Sequence, residues 1–418
     1  MRILLWHGYF LGGTGSNVYS RALSREWSQA GHEVTLFCQD PNPEHFDLGS
    51  ATVIKPKLPN DLLPVFVLDN YPGLKSKLLQ DFTQKELMQY VEANVQAMSN
   101  LLPADLIFTN HALMGGAIGA ATSSPFRVKV HGSELEYSIR EKPELIKFAQ
   151  ESLLSAEAVY VGSRHVRNVL AEVIGNIQHV SEVPPGVNIN EFVIKDRDEA
   201  LQQLLEESKQ DPLNPGNYDE RLPDEGNAKK FADFFAVDRP TIIYFGKLIK
   251  NKGVHLLLEA LRSLDARVII VGFGDYRGKL EQLALTLPKD KVLFTGFLEH
   301  RHLVNLLPLA EVAVVPSIFP EAFGMVAAEA AASGCPPLLA RHSGLAEVAA
   351  ELQKEYPEHL RPLTVFEPGD VNSLRSKLAE LLAISPMERK AIKSACRSVA
   401  ETHWSWTVLA KRLLEPVS

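Results

Sequence analysis

Cysteine is scarce in this chain. Cys38, Cys335 and Cys396 are the only three, they lie far apart, and none forms a CxxC pair. A disulfide scaffold and a zinc ribbon are thereby excluded, and the low count fits a reducing compartment. No apolar run approaches the ~20 residues that span a bilayer. The apolar start Met1–Trp6 is too short for a signal peptide and leads into glycines, so a soluble, cytoplasmic protein is expected. Positive charge is also in deficit. Lysine and arginine total 43 against 51 aspartates and glutamates, a net charge of −8. That disfavours a nucleic-acid binder that works by neutralising phosphates. The remaining composition, 45% hydrophobic and 22% charged over 418 residues, is that of a globular protein of two or three domains.

Two common nucleotide motifs are missing as well. Gly13-Thr14-Gly15 opens a dinucleotide fingerprint, but Val18 stands where the third glycine belongs; after Gly272-Phe273-Gly274 that place is taken by Arg277. Gly246 is followed five residues later by Asn251, which breaks a P-loop. An NAD-dependent dehydrogenase and a P-loop NTPase are both disfavoured. Asp196-Arg197-Asp198 is a literal DxD, but it opens a polar stretch and reads as a solvated charge cluster. His300-Arg301-His302 alternates on a helix start and offers no shared face for a metal.

What is present is a repeated α/β pattern. Residues Arg2–Trp6 read as a buried strand, Gly8–Gly15 as a glycine-rich turn, Val18–Ala30 as a helix and Glu33–Phe37 as a second strand. Further strands are expected at Asp105–Thr109, Arg127–Val130 and Ala158–Val161. The chain then turns polar, and Asp211–Asn227 is rich in Pro, Gly, Asn and Asp. This reads as a connector or insertion over 191–238. The pattern restarts with a strand at Thr241–Phe245, a loop Gly246–Gly253, a helix Val254–Ser263 and a strand Arg267–Val271. Two Rossmann-like domains follow, over 1–190 and 239–403, with an amphipathic tail over 404–418. In open parallel sheets ligands bind beyond the carboxyl ends of strands. Attention therefore falls on His7–Gly15, Asn110-His111, His131-Gly132-Ser133, Gly246–Gly253, Gly272–Gly274 and the segment after Val312–Val315.

That last segment, Val314–Pro336, is the most informative. A strand ends in Pro316-Ser317, an irregular loop reaches Phe323-Gly324, and a helix follows that is apolar nearly all round. Such a helix is buried, yet Glu329 lies within it, so this carboxylate needs a partner or a raised pKa. Glu321 precedes it by eight residues, just ahead of the helix.

Glu321-Ala322-Phe323-Gly324 leading to Glu329-Ala330 resembles the signature of glycosyltransferase family 4, retaining nucleotide-sugar transferases with the GT-B fold. The resemblance continues in order along the chain. It takes in the glycine turn at Gly12-Gly13, His131-Gly132, Pro185-Gly186-Val187-Asn188, Gly246-Lys247 with Lys252-Gly253, Val271–Gly274, Phe294–Phe297 and Gly344–Glu347. One departure is Lys247, which stands where the family usually has arginine and lacks its planar fork. The stretch before Thr241 is longer than the family's.

The resemblance implies an α/β fold of two Rossmann-like domains facing each other across a cleft, with the last helix packing back on the first domain. It implies a hexosyltransferase that moves a sugar from a nucleoside-diphosphate-sugar donor to a hydroxyl acceptor with retained configuration. Glu329 would bind the ribose hydroxyls and Glu321 the donor sugar. The backbone at Phe323, Gly324, Met325 and Val326 would face the sugar and diphosphate. Lys247 and Lys252 would neutralise the diphosphate, Gly13 and Gly15 would border the donor, and Phe297 and Leu298 the base. His131 would stand beside the sugar and, with Glu321 and Lys252, form the catalytic group. Tyr71, Asn110 and His111 are the acceptor-side residues by position. No metal and no other cofactor is expected. The acceptor, whether a sugar, a lipid-linked sugar or a small molecule, stays open, as do the donor base, the donor sugar and peripheral membrane contact; no nucleic-acid partner is expected. Alternatives on the same fold are a sugar-nucleotide epimerase or phosphorylase and a non-catalytic nucleotide-sugar binder.

Overall fold

A computed structural model of the chain describes residues 1–13, 15–66 and 71–417. Thr14, inside the glycine turn, lies outside the described residues, as do positions 67–70 and Ser418. The chain divides into two compact units, Met1–Pro185 with Trp406–Ser418, and Gly186–Ser405.

Among the described residues, unit 1 carries a seven-stranded parallel sheet. Its order is Thr52–Ile54, Glu33–Phe37, Arg2–Trp6, Leu106–Asn110, Phe126–Val130, Ala158–Val161, Val180–Glu182. The central strands are buried on both faces, so apolar residues run on without alternation over Ile3–Trp6, Leu106–Phe108 and Ala158–Val161. The helix Gly15–Gln29 follows the first strand; Leu23 and Trp27 lie on its buried face. The chain's last helix, Trp406–Arg412, belongs to this unit. The Trp27 indole donates to the Ala410 carbonyl at 2.9 Å, and Arg127 donates to the carbonyls of Leu413 and Glu415, both at 2.8 Å. Trp404, by contrast, is buried in the core of unit 2.

Unit 2 repeats the plan with six parallel strands among the described residues. Their order is Val292–Phe294, Arg267–Val271, Thr241–Phe245, Val312–Val315, Pro337–Ala340, Val365–Phe366. In both units the strand order reverses beside the unit's opening strand. The crevice that a parallel sheet offers to ligands therefore lies after Trp6 and Asn110 in unit 1, and after Phe245 and Val315 in unit 2.

The segment 191–238 differs from the connector that its composition suggests. It holds the helices Arg197–Lys209 and Asn227–Phe235, and Phe192, Ala200, Leu204, Phe231 and Phe234 enter the core of unit 2. Asp196 of the DxD caps the first of these helices, its carboxylate accepting from the amides of Asp198 at 2.9 Å and Glu199 at 3.3 Å. The cap satisfies amides that the helix cannot.

Replacing Leu204, which is fully buried, tests that correction. Leu204→Ala should destabilise unit 2 by about 2–5 kcal/mol, the cost of a core cavity. A solvated connector would lose almost nothing, and the denaturant midpoint of the purified variant separates the two outcomes.

Candidate active site

In unit 2 glycines let two loops close on one another. Gly253 (φ 69°) ends the loop after Thr241–Phe245 and opens the helix Val254–Leu261. A Cβ there would stand 2.0 Å from the Pro316 carbonyl oxygen, so only glycine fits. The Ile318 amide donates to the Asn251 carbonyl at 2.9 Å and ties the same two loops together. The result is an ion pair between the Lys252 ammonium and Oε1 of Glu321, to which the Ser317 hydroxyl also donates at 2.5 Å. The second Glu321 oxygen makes no hydrogen bond among the described residues. Lys247 is exposed on the same loop, and its carbonyl accepts from the Tyr244 hydroxyl at 2.8 Å. Burial, with the Glu321 charge nearby, pushes the Tyr244 phenol above its ordinary range.

Beyond Glu321 the helix Met325–Ala332 starts from Gly324 (φ 98°), and no side chain caps it. Phe323 is buried; Gly324, Met325 and Val326 are partly open. The uncapped amides of this first turn form a ready anion site. One turn deeper sits Glu329, only 8% exposed. Burial pushes its carboxyl up to about 8. Its neighbour is the His300 ring at 3.6 Å, which packs edge-on against Phe192. Of the two remedies expected for a buried carboxylate, the raised pKa is in place, and the His300 ring lies near as an ion-pair partner only when protonated.

The loop at Phe297 and Leu298 is shaped by the segment 191–238. The Asp224 amide and the Asn227 side-chain amide donate to the Thr295 carbonyl at 2.8 and 2.9 Å. Arg277 grips the Asp224 carboxylate through two bonds of 2.8 and 2.7 Å. Leu298 is buried, and Phe297 meets the edge of Phe273 with ring centres 5.8 Å apart.

In unit 1 the switch point gathers histidines. His131 Nε2 donates to Asn110 Oδ1 at 2.8 Å, and its ring packs on Tyr19 and His111 at 5.2 and 5.0 Å. Burial, then His111, Lys129 and His7, hold the His131 pKa well below the ordinary histidine value, so the ring is neutral. Asn110 was expected on the acceptor side, but it is fully buried and its amide also donates to the Trp6 carbonyl at 3.1 Å. It orients His131 rather than presenting a surface. His111 is likewise buried, enclosed by Tyr9, Phe66, His7 and His131. Tyr71 is partly exposed, edge-on to Phe10 at 5.2 Å. Gly13 (φ 93°) and Gly15 are exposed at the start of the first helix. His7, fully buried, bonds to the Phe10 carbonyl and Asn17 Oδ1, both at 3.0 Å.

Several site neighbours carry no signal in the sequence. Glu134 is fully buried and accepts the amides of Ala112 and Leu113 at 2.5 and 3.3 Å, which fixes the π-helical turn His111–Gly115. Burial pushes its carboxyl up to about 7 against the pull of those amides. Lys129, buried in its strand, donates to the Val183 carbonyl and lies over the Tyr19 ring. Ser317, Ser343 and His342 frame Glu321.

A model of the group 1 glycosyl transferases matches residues 227–398, and one of glycosyltransferase family 4 matches residues 13–191. A GDP-mannose-dependent monoacylated alpha-(1-6)-phosphatidylinositol monomannoside mannosyltransferase of Corynebacterium glutamicum is 26% identical over 72% of this chain and 72% of its own length. Among solved structures, a glycosyltransferase of Rickettsia africae gives a TM-score of 0.71 at 17% identity, covering 99% of this chain and 97% of that one. Anabaena HepE in complex with UDP gives 0.70 at 16% identity, covering 99% and 98%. The structural likenesses give the GT-B fold of two Rossmann-like units, and the two family models, over 13–191 and 227–398, make the chain a glycosyltransferase. Within that class the chain belongs to glycosyltransferase family 4.

The raised Glu329 pKa has a consequence for stability. A carboxyl whose folded pKa lies above its unfolded value loses stability as pH rises through the folded pKa. Between roughly pH 4.5 and 8 the ligand-free protein should therefore lose stability that Glu329→Gln retains. At pH 8 the variant should be the more stable by at most ~4–5 kcal/mol, less whatever a charged His300 returns. Denaturant titrations of both proteins across that range measure the difference.

Proposed function

We propose that the chain is a retaining hexosyltransferase that uses a nucleoside-diphosphate sugar and needs no metal ion. The observation that carries this reading is the cluster of Lys252, Ser317 and Glu321 beside an uncapped helix start, with Glu329 buried one turn further on. The ribose hydroxyls would donate to the Glu329 carboxylate, giving it the partners that favour its charged form. The diphosphate would lie against the amides at Gly324–Val326 and the ammonium groups of Lys252 and Lys247. The free oxygen of Glu321 would accept from a sugar hydroxyl and fix the ring, and the Phe297-Leu298 loop would border the base. In unit 1, neutral His131 and the exposed Gly13 and Gly15 are the candidate ligand-facing groups, each beyond a strand end of its own sheet.

In the transfer the bond from the anomeric carbon to the diphosphate breaks and one to the acceptor oxygen forms. The acceptor proton passes to a departing phosphate oxygen on the same face, which retains configuration. Lys252 and the helix amides meet the charge that develops on the leaving group. Asp196 spends its carboxylate on capping a helix, so the lysine-and-amide set is the positive end of this site. The actinobacterial relative acts, by its name, with GDP-mannose on a phosphatidylinositol mannoside, and HepE binds UDP. GDP-mannose and UDP-glucose are therefore the first donors to test, and lipid-linked sugars the first acceptors. No helix among the described residues is long and apolar enough to cross a membrane. A cytoplasmic setting fits the three buried free thiols.

Product analysis over a panel of nucleotide sugars and acceptors distinguishes transfer from epimerisation or mere binding. Lys252→Ala should lower turnover by about 10²–10³, and activity should survive EDTA. Abolition by chelation with rescue by Mg²⁺ or Mn²⁺ would show the leaving-group account to be wrong. Glu329→Gln should weaken nucleoside-diphosphate binding by ~1.5–3 kcal/mol, the worth of a hydrogen bond to a charged group. Unchanged affinity in calorimetry would remove the ribose role.

A further inference from the structure

The loop that opens the helix Ser343–Glu355 runs close against the loop that carries Ser317 and Glu321. His342 Nε2 donates to the Ser317 carbonyl at 2.7 Å, and His342 Nδ1 lies 2.9 Å from Ser343 Oγ. Ser343 Oγ accepts the Glu321 amide at 2.9 Å, and the Gly344 amide donates to the Glu321 carbonyl at 2.9 Å. The fit is tight. A Cβ on Gly344 would stand 2.5 Å from the Ala322 carbonyl oxygen and 2.8 Å from that of Glu321. A Cβ on Gly324 would stand 2.5 Å from Leu345 Cδ2. Ser343 itself has φ 48°, a left-handed conformation that non-glycine residues seldom adopt. Backbone strain of this kind persists only where the surroundings over-determine it.

The bonds have a direction. A carbonyl only accepts, so Nε2 of His342 carries a proton. In the neutral ring Nδ1 is then an acceptor, and the Ser343 hydroxyl donates to it. That turns a Ser343 lone pair toward the Glu321 amide. The chain starts and ends on the residues around one carboxylate: Ser317, whose hydroxyl holds Glu321 Oε1, and Glu321 itself.

We propose that His342, acting through Ser343, is a positioning residue for glycosyl transfer. It sets the backbone of Ser317 and of Glu321 so that the free carboxylate oxygen of Glu321 meets the donor sugar, and it touches no substrate atom. The proposal rests on the sugar-binding reading of Glu321.

The test uses steady-state kinetics of the full chain with whichever of GDP-mannose and UDP-glucose gives the higher turnover. The affinity for the matching GDP or UDP and the melting temperature are measured beside it. His342→Ala should lower kcat by about 10–100-fold, the cost of misplacing a group by an ångström or less. Affinity for the free nucleotide should stay within about twofold, because no bond to it is lost. His342→Gln can return the bond to the Ser317 carbonyl and should recover most of kcat. Ser343→Gly suits the left-handed backbone but removes the acceptor for the Glu321 amide, so it should reproduce the loss. Full kcat in His342→Ala, with Glu321→Gln strongly impaired, would overturn the positioning role and leave Glu321 in place. Full kcat in Glu321→Gln would overturn the Glu321 reading and this proposal with it. Equal impairment of His342→Ala and His342→Gln, accompanied by lost nucleotide affinity or a lowered melting temperature, would reduce His342 to a structural part and also overturn the proposal.

Discussion

A parallel sheet brings the carboxyl ends of all its strands to one edge, and the rest of this molecule depends on that constraint. The candidate residues His7, His131, Lys252, Ser317 and Glu321 stand one to seven positions beyond a strand end. His7 follows Arg2–Trp6, His131 follows Phe126–Val130, Lys252 follows Thr241–Phe245, and Ser317 with Glu321 follows Val312–Val315. Where the strand order reverses, neighbouring loops lead to opposite faces and leave a crevice between them. Backbone must then pass very close to backbone. The glycines at 253, 272 and 344 sit where a Cβ would fall within 2.5 Å of a carbonyl oxygen.

The same crowding buries charge. Glu329, Glu134 and Lys129 are each nearly or fully inaccessible. Burial drives the two carboxyls up to about 8 and about 7, and the lysine down to about 7. Each case is handled differently. Glu134 takes two backbone amides, Lys129 takes a carbonyl and an aromatic face, and Glu329 keeps a histidine nearby. A buried ionisable group so perturbed, beside a crevice, is a candidate functional residue.

The sequence shows what is contiguous. Apolar runs mark the central strands, glycines mark the turns after them, and the spacing from Glu321 to Glu329 is visible because one loop and one helix carry both. It hides what is joined at a distance. His342 meets Ser317 across 25 residues and Asp224 meets Arg277 across 53. The segment 191–238 misleads for a different reason. Its helix Arg197–Lys209 buries only a narrow stripe, Ala200, Leu204 and Ser208. One of its buried polar residues, Asn214, is satisfied within the segment, its amide donating to the carbonyls of Asp219 and Pro223, both at 3.0 Å. A stretch so polar reads as solvent-facing although it completes a core. Strands of two or three residues such as Thr52–Ile54 and Val365–Phe366 are too short for any period to show.

The return of Trp406–Arg412 to unit 1 has a bearing on biosynthesis. Trp27 and Arg127 find partners in Ala410, Leu413 and Glu415, which leave the ribosome only after all of Gly186–Ser405. The first unit to be translated is thus the last to be finished. Its first helix waits for its closing partner while the other unit, continuous in sequence, folds. A chain cut short by a dozen residues would keep both sheets yet leave an indole and a strand arginine uncovered, a surface that chaperones and proteases can read as an incomplete product.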